Sequence, residues 1–429
     1  MSTHTPAGRR SSTQPVKALP VREQAQVSNR LLKIRLERLL PQLMRQSGFD
    51  MWLIICNEDN HDPVFSTLIP FDTWTPITQM IAFSLKADDS AERLNLSRTD
   101  LHGLYEDRWN PNGPEHQWTC LRRIVEERNP KRIGINESEV IWAADGLTAT
   151  FKRKLVEALG APYAERLESA ESLCIRWLES MVDEELEVYE RTVALCHQII
   201  AEVFSPAVIT PGATSVDDLR WQFWQRAADR GLSCSFTPSF DIQRSEEMKQ
   251  RFNPADGIIR QGDLVHCDVG IVYLGLHSDN QEIAYILRHG EGDAPQGMKE
   301  GLKMANRLQD ILTGEMKPGL TGNQILRAAL QKANEEGLSN PRIYTHSIGH
   351  LLHEPGPLIG LPWEQNDCGG RGEVTLNYNS CFAIELGVRC PIPEWKGQLA
   401  TFSIEQNAAV TPQGIYYLDG RQTALHLIG

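Results

Sequence analysis

Two tetrapeptides near the C-terminus, Phe382-Ala383-Ile384-Glu385 and Phe402-Ser403-Ile404-Glu405, repeat one design. In a β-strand alternate side chains face opposite sides. Phe and Ile therefore share one face, and each Glu shares the other with a small Ala or Ser. The chain must then build strands that are apolar on one side and carry a carboxylate into space left open by a small neighbour. A single such Glu reads equally well as an edge-strand charge. Two of the same design are harder to account for as solvated groups.

A second carboxylate pair lies upstream. Asp268 sits in the mostly apolar run Asp263–Val272, and Asp279 follows eleven positions later, after a Tyr273–Gly275 turn. Neighbouring strands of a hairpin would set the two side by side, and buried carboxylates repel unless a proton or cation lies between them. Taken alone, the pair reads more simply as a turn cap and a solvated loop residue. Between the two acidic pairs runs His346-Ser-Ile-Gly-His350-Leu-Leu-His353-Glu354, which holds three of the chain's twelve histidines. Imidazole is the usual nitrogen ligand of transition metals and can also steady a developing oxyanion. Two Asp, one His and two Glu form a hard oxygen and nitrogen donor set. Such a set suits Mn, Fe, Co or Zn, and it suffices for two ions about 3.5–4 Å apart.

The remaining pattern predicts a mixed α and β chain. Residues 28–46 carry a broad apolar stripe, with Ser28 as a candidate N-cap and Gly48 as the stop. Met51–Cys56, Ile77–Phe83 and Arg132–Asn136 read as strands, so the first 175 residues form an α/β domain. Ser180-Met-Val-Asp183 fits a capping box that opens a helix with apolar residues at steps of three and four. A second helix starts at the run Thr214-Ser215-Val216-Asp217 and stops at Gly231, a third is bounded by Gly314, Pro318 and Gly319, and a fourth opens with the box Thr321-Gly-Asn-Gln324. Glu282–Leu287, Cys381–Val388 and Thr401–Val410 are further strands, which makes the second half α+β. The expected division is a disordered tail at 1–20, an N-terminal domain at 21–176 and a catalytic domain at 177–429.

Composition narrows the function. Lys plus Arg number 43 and Asp plus Glu 56, a formal net charge of −13. This predicts no nucleic-acid partner and no anionic membrane surface, since both recruit basic side chains. No run approaches the roughly 18 apolar residues needed to span a bilayer. Arg9-Arg10 is followed by SSTQPVK where an export signal requires an apolar run. The nine cysteines are scattered with no CxxC, the pattern of free thiols in a reducing cytoplasm.

The ordered set Asp268, Asp279, His346, Glu385 and Glu405, with His353 seven residues after His346, resembles the pita-bread-fold metallopeptidases. That superfamily includes methionine aminopeptidase, aminopeptidase P, prolidase and the metal-free creatinase. The resemblance is strong over residues 180–429, and residues 28–175 resemble a creatinase-type N-terminal domain. It implies an α+β pita-bread catalytic domain behind an α/β domain. It also implies two divalent ions, manganese foremost with Co, Zn or Fe as alternatives, held by those five residues. The implied activity is hydrolysis of the bond before proline, as an Xaa-Pro aminopeptidase or dipeptidase working through a metal-bridging hydroxide. In it, Glu385 shuttles the proton and His353 binds substrate or the tetrahedral intermediate. A cytoplasmic homodimer acting on a peptide or other small-molecule substrate is the expected setting.

Three departures from the family pattern keep a second function in view, a metal-dependent hydrolase or lyase acting on a small non-peptide molecule. The segment Phe240–Asn253 has no His, Ser403 stands where proline-directed members often place Arg, and Leu386-Gly387 follows the fourth ligand in place of Pro-Gly. His266, two before Asp268 and so on the same strand face, is the candidate replacement for the missing His in substrate binding or metal tuning. A hydrogen-bonded strand His accounts for it equally, and His277, two before Asp279, shares that ambiguity.

Overall fold

A computed structural model describes residues 16–429. Most of the expected disordered tail, residues 1–15, lies outside the described residues. Of the remainder, Val16 and Ala18 pack against a hydrophobic core, and the Lys17 carbonyl accepts from Arg191 Nε and Nη2 at 3.2 and 2.8 Å. The chain divides into two compact units, Leu19–Val182 and the segment ending at Ala18 joined with Asp183–Gly429.

The first unit opens with helix α1 (Val21–Ile34), which passes through a π-helical turn at Arg35–Leu39 into α2 (Leu40–Ser47). The helix thus begins seven residues before Ser28, because Pro20 fixes the entry and frees the next turn to start. Gly48 ends it at φ 74°, a left-handed position that glycine takes without steric cost. A mixed sheet follows, ordered β4-β3-β2-β1-β5-β6. Its strands are β1 (Met51–Asn57), β2 (Thr78–Leu85), β3 (Ala91–Asn95), β4 (Glu106–Asp107), β5 (Ile133–Ile135) and β6 (Leu167–Ser169). Helices α3 (Gln117–Arg128) and α4 (Ala149–Leu159) bury Leu121, Ile124, Val125 and Leu155 against Met51, Leu53 and Ile55 of β1. Helix α5 (Glu171–Glu179) closes the unit. Ser180 does not cap the next helix; its hydroxyl is buried without a partner.

The second unit is built around helices α6 (Asp183–Val203), α7 (Val216–Asp229), α8 (Glu246–Arg251), α9 (Gln296–Glu315) and α10 (Gly322–Glu335). Reciprocal capping boxes, Ser215 with Asp218 and Thr321 with Gln324, start α7 and α10. A small sheet joins β7 (Ser233–Cys234), β10 (Ile271–Tyr273) and β11 (Leu276–His277). The large sheet runs β15-β14-β16-β17-β12-β9-β8. These are β8 (Ser239–Gln243), β9 (Leu264–Val269), β12 (Asn280–Ile286), β14 (Thr345–Ser347), β15 (Leu358–Ile359), β16 (Ser380–Ile392) and β17 (Gln398–Thr411). Three short strands, β13 (Arg342–Ile343), β18 (Gly414–Tyr417) and β19 (His426–Ile428), pair with β16, β17 and β12.

Each half of the large sheet rests on one helix pair. Leu195, Ile199, Leu219 and Phe223 of α6 and α7 meet Val265, Cys267 and Val269. Leu302, Leu308, Ile325 and Leu326 of α9 and α10 meet Ile384, Leu386, Phe402 and Ile404. Each large apolar side chain so buried contributes roughly 1.5–3 kcal/mol. Contact with α9 is close: a Cβ at Gly301 would lie 2.2 Å from the Phe402 ring. The strand residues between these apolar positions point the other way. That alternation gathers His266, Asp268, Glu385 and Glu405 on the face opposite the helices.

Candidate active site

Strand register places the acidic residues in a row. Gln281 pairs with Asp268 on one side and Glu405 on the other, and Glu405 pairs with Glu385. One line of side chains, Asp268–Gln281–Glu405–Glu385, therefore crosses β9, β12, β17 and β16. A second line lies two residues along. Ala383 pairs with both Asn407 and His346, and the Asn407 Oδ1 accepts from the Asp279 amide at 3.2 Å. Ala383 is small, which leaves room between these rows. A two-residue turn at Leu274–Gly275, both at positive φ, brings Asp279 back beside Asp268. Gly270 permits the close crossing, since a Cβ there would sit 2.0 Å from the Ser278 carbonyl oxygen.

All five residues expected as ligands meet in this space. Asp268, Asp279 and Glu405 form one group whose donor atoms lie within 4.8 Å of one another; His346, Glu385 and Glu405 form a second, and Asp279, His346 and His353 a third. His346 is fully buried, with Nε2 3.7 Å from both Asp279 Oδ2 and Glu405 Oε1. Its Nδ1 lies 3.2 Å from the Ser347 carbonyl, the contact that leaves the Nε2 lone pair facing the carboxylates. His353 stacks edge-on against His346, ring centroids 4.5 Å apart. His350 instead turns to Glu185, 3.0 Å away, and takes no place in these groups.

Electrostatics here is that of anions crowded out of water. Burial pushes Asp268 up to about 6 and Glu385 up to about 8. Burial, then the neighbouring carboxylates, holds Asp279 and Glu405 well above the ordinary range. Burial, then His353 and Arg371, holds His346 well below its usual value, so the ring is neutral and its lone pair free. His346 Nε2, Asp279 Oδ1 and both Glu405 oxygens are buried with no hydrogen-bond partner. Orphaned acceptors of this kind are costly in a folded chain. A cation among them would satisfy every one, so the donor set fits divalent metal.

Three side chains that carried no spacing signal also face this space. Gln281 Nε2 donates to Glu385 Oε1 at 2.9 Å. Tyr344 has its ring centroid 5.4 Å from that of His346. Arg371 donates Nε to the Gly356 carbonyl at 3.3 Å, keeps Nη2 buried without a partner, and is near enough to depress His346 and His353. Only its Gly369-Gly370-Arg371-Gly372 setting sets it apart in the sequence, as a charged residue in a loop with little side-chain bulk. His266, expected to bind substrate or tune a metal, has both ring nitrogens engaged inside the protein. Asp241 Oδ2 is 2.7 Å from Nδ1 and Gln281 Oε1 is 3.0 Å from Nε2, which leaves neither nitrogen for a substrate. Burial alone would lower the His266 pKa, but Asp241, with Asp268 and the Gln281 contact, raises it. His277 donates its amide to the Gly349 carbonyl, and burial, then His350 and His353, pushes its imidazole down to about 4.

Comparison with known proteins agrees with this geometry. A model of metallopeptidase family M24 matches residues 187–412, a span that contains all five ligand candidates. No curated protein sequence matches. The X-Pro aminopeptidase of Thermotoga maritima MSB8 is similar in structure at TM-score 0.63 and 18% identity, covering 90% of this chain and 99% of its own. The Xaa-Pro dipeptidase of Bacillus anthracis gives 0.60 at 17% identity, covering 94% and 100%. The N-terminal domain of the FACT complex subunit SPT16 from Cicer arietinum (chickpea) gives 0.56 at 12%, covering 94% and 99%. At these identities the likeness is one of fold.

Proposed function

The chain belongs to metallopeptidase family M24, and from that premise we propose a dinuclear peptidase that hydrolyses the bond before proline. The observation that carries this reading is the convergence of four carboxylates and a neutral imidazole around buried, unpartnered donor atoms. Asp268, Asp279, His346, Glu385 and Glu405 would hold two divalent ions, manganese foremost. When bound, such ions supply Lewis acidity and acidify water. Glu385 combines a raised pKa with a place at the edge of the cluster. It is suited to take a proton from the attacking water and deliver it to the departing amine. His353 stands against His346 as a neutral ring and is suited to donate to the oxygen that gains charge. Arg371 offers an unpartnered guanidinium nitrogen close to both histidines. A substrate carboxylate would satisfy it, which favours short peptides with a free C-terminus.

The neighbours described as Xaa-Pro peptidases support the choice of substrate, and the SPT16 neighbour shows why the residues must carry the argument rather than the fold. We place the reaction in a cytoplasmic homodimer. Among the described residues no helix is long and apolar enough to cross a membrane, and all nine cysteines are free. The test is incubation of the Mn²⁺-loaded protein with Xaa-Pro dipeptides and longer Xaa-Pro peptides. Release of the N-terminal residue is expected. Two bound metals with no cleavage of any of these peptides would refute the proline-directed reading and leave a small non-peptide substrate.

A further inference from the structure

A hydrogen-bonded chain leads from the protein surface to Glu385. It starts at Asp241 on β8, whose side chain is 58% exposed, and passes through His266 on β9 and Gln281 on β12. It ends at the Glu385 carboxylate on β16, reaching past β17 and Glu405. We propose that Gln281 and His266 are positioning residues, held by Asp241, that fix the plane of the Glu385 carboxylate.

The last torsion of a glutamate is broad, so the strand alone does not set how its two oxygens point. A bond to one oxygen sets it. Gln281 stands in the ligand row itself, paired in register with Asp268 and Glu405, yet it is neutral and adds no charge to four crowded carboxylates. Its amide would be free to turn over if only Glu385 held it. His266 prevents this by donating Nε2–H to the amide oxygen, which leaves the NH₂ toward Glu385. Asp241 in turn accepts from Nδ1–H and fixes the ring. At the other end the Glu385 backbone is held as well, its carbonyl accepting from the Tyr344 amide at 3.0 Å and the Thr345 hydroxyl at 2.9 Å. Side chain and main chain of Glu385 are therefore fixed independently.

The inference rests on Glu385 working as proposed above, so its test reads metal binding as well as turnover. Gln281→Leu, His266→Leu, the double variant and Asp241→Asn are compared in the full-length protein. Mn²⁺ affinity is measured by titration calorimetry, kcat and KM on an Xaa-Pro dipeptide, and folding by circular dichroism. Gln281→Leu is expected to lose about 10–100-fold in affinity for one Mn²⁺ and in kcat, with KM little changed. If His266 acts only through the amide, the double variant loses no more than Gln281→Leu alone. Asp241→Asn, at an exposed position, is expected to lose a few-fold and carries the test if His266→Leu does not fold. Additive losses in the double variant, or wild-type Mn²⁺ affinity in Gln281→Leu, would overturn the proposal. A wild type that cleaves no Xaa-Pro peptide but shows the non-additive Mn²⁺ losses would sink the substrate reading and leave this one standing.

Discussion

Removing metal should make this protein's stability fall as the pH rises, the reverse of what carboxylates usually cause. A carboxyl with a folded-state pKa above its unfolded value binds more protons when folded. Its stability contribution is complete below the unfolded pKa, near 4, and is lost as the pH climbs through the folded value. That value is about 6 for Asp268 and about 8 for Glu385. For Glu385, moving from 4.5 to about 8 corresponds to about 5 kcal/mol at about 1.4 kcal/mol per pH unit. Partial solvent access to Glu385 halves that to roughly 2–3 kcal/mol. The buried histidines, His277 and His346 foremost, are held neutral and give the opposite slope below about pH 7, so the carboxylate effect is read above it. From pH 7 to 8.5 the Glu385 share is about 1 kcal/mol. At roughly 2–4 °C per kcal/mol for a domain of this size, the chelated protein should melt about 2–4 °C lower at pH 8.5 than at pH 7. Mn²⁺ at 100 times its dissociation constant adds about 2.7 kcal/mol and holds the same carboxylates ionised, so the slope should vanish. Scanning calorimetry of chelated and Mn²⁺-loaded protein from pH 7 to 8.5 measures both. A chelated protein whose Tm is flat or rises over that range would show that the carboxylates are not crowded, and the argument for a cation among them would fail.

Other perturbations separate the parts of the site. His346→Ala removes a nitrogen donor from two of the three donor groups, and elemental analysis should find fewer than two Mn²⁺ per chain. Arg371→Leu should raise KM for Xaa-Pro dipeptides about 10–100-fold, the loss of a charge-assisted bond, and leave peptides with an amidated C-terminus unaffected. An equal effect on both, in a steady-state comparison, would remove Arg371 as a carboxylate anchor. Arg244 binds Asp263 through two hydrogen bonds of 2.8 and 2.7 Å, both side chains being almost fully buried. Arg244→Met should therefore cost about 3–5 kcal/mol in denaturant unfolding without changing Mn²⁺ stoichiometry.

Glu385 and Glu405 were legible because strand alternation is a property of the sequence, whereas Asp268, Asp279 and His346 were singled out as ligands by the resemblance of the ordered set to the metallopeptidases. Phe-x-Ile-Glu states which face each side chain takes, and the twin occurrence at Glu385 and Glu405 fits two long antiparallel strands whose glutamates lie directly opposite. The eleven-residue step from Asp268 to Asp279 likewise encodes a hairpin whose ends meet. The start of α10 was legible in the box Thr321–Gln324, which closes as a reciprocal cap, while α7 was read from the run Thr214–Asp217 and is capped by Ser215 with Asp218. Ser180 offered the same letters, but its hydroxyl ends up buried with nothing to cap.

What escaped the sequence depends on register between strands far apart in the chain. Gln281 shares the face of Asp279, which alternation reveals, but its value comes from reaching over β17 to Glu385, and no local pattern encodes that reach. His266 was visible as a same-face histidine. Its role turns on Asp241, which occupies β8 opposite it and reads in sequence as an ordinary surface aspartate. Arg371 comes from an irregular loop, where neither a period of 2 nor of 3.6 constrains direction. The two glutamates of the donor set are thus written in strand periodicity, whereas the groups that aim Glu385 are fixed by pairing across the sheet. That division explains how a fold shared with a FACT subunit domain and with Xaa-Pro peptidases can leave activity undecided. In this chain the decision falls to a few side chains on one face of one sheet.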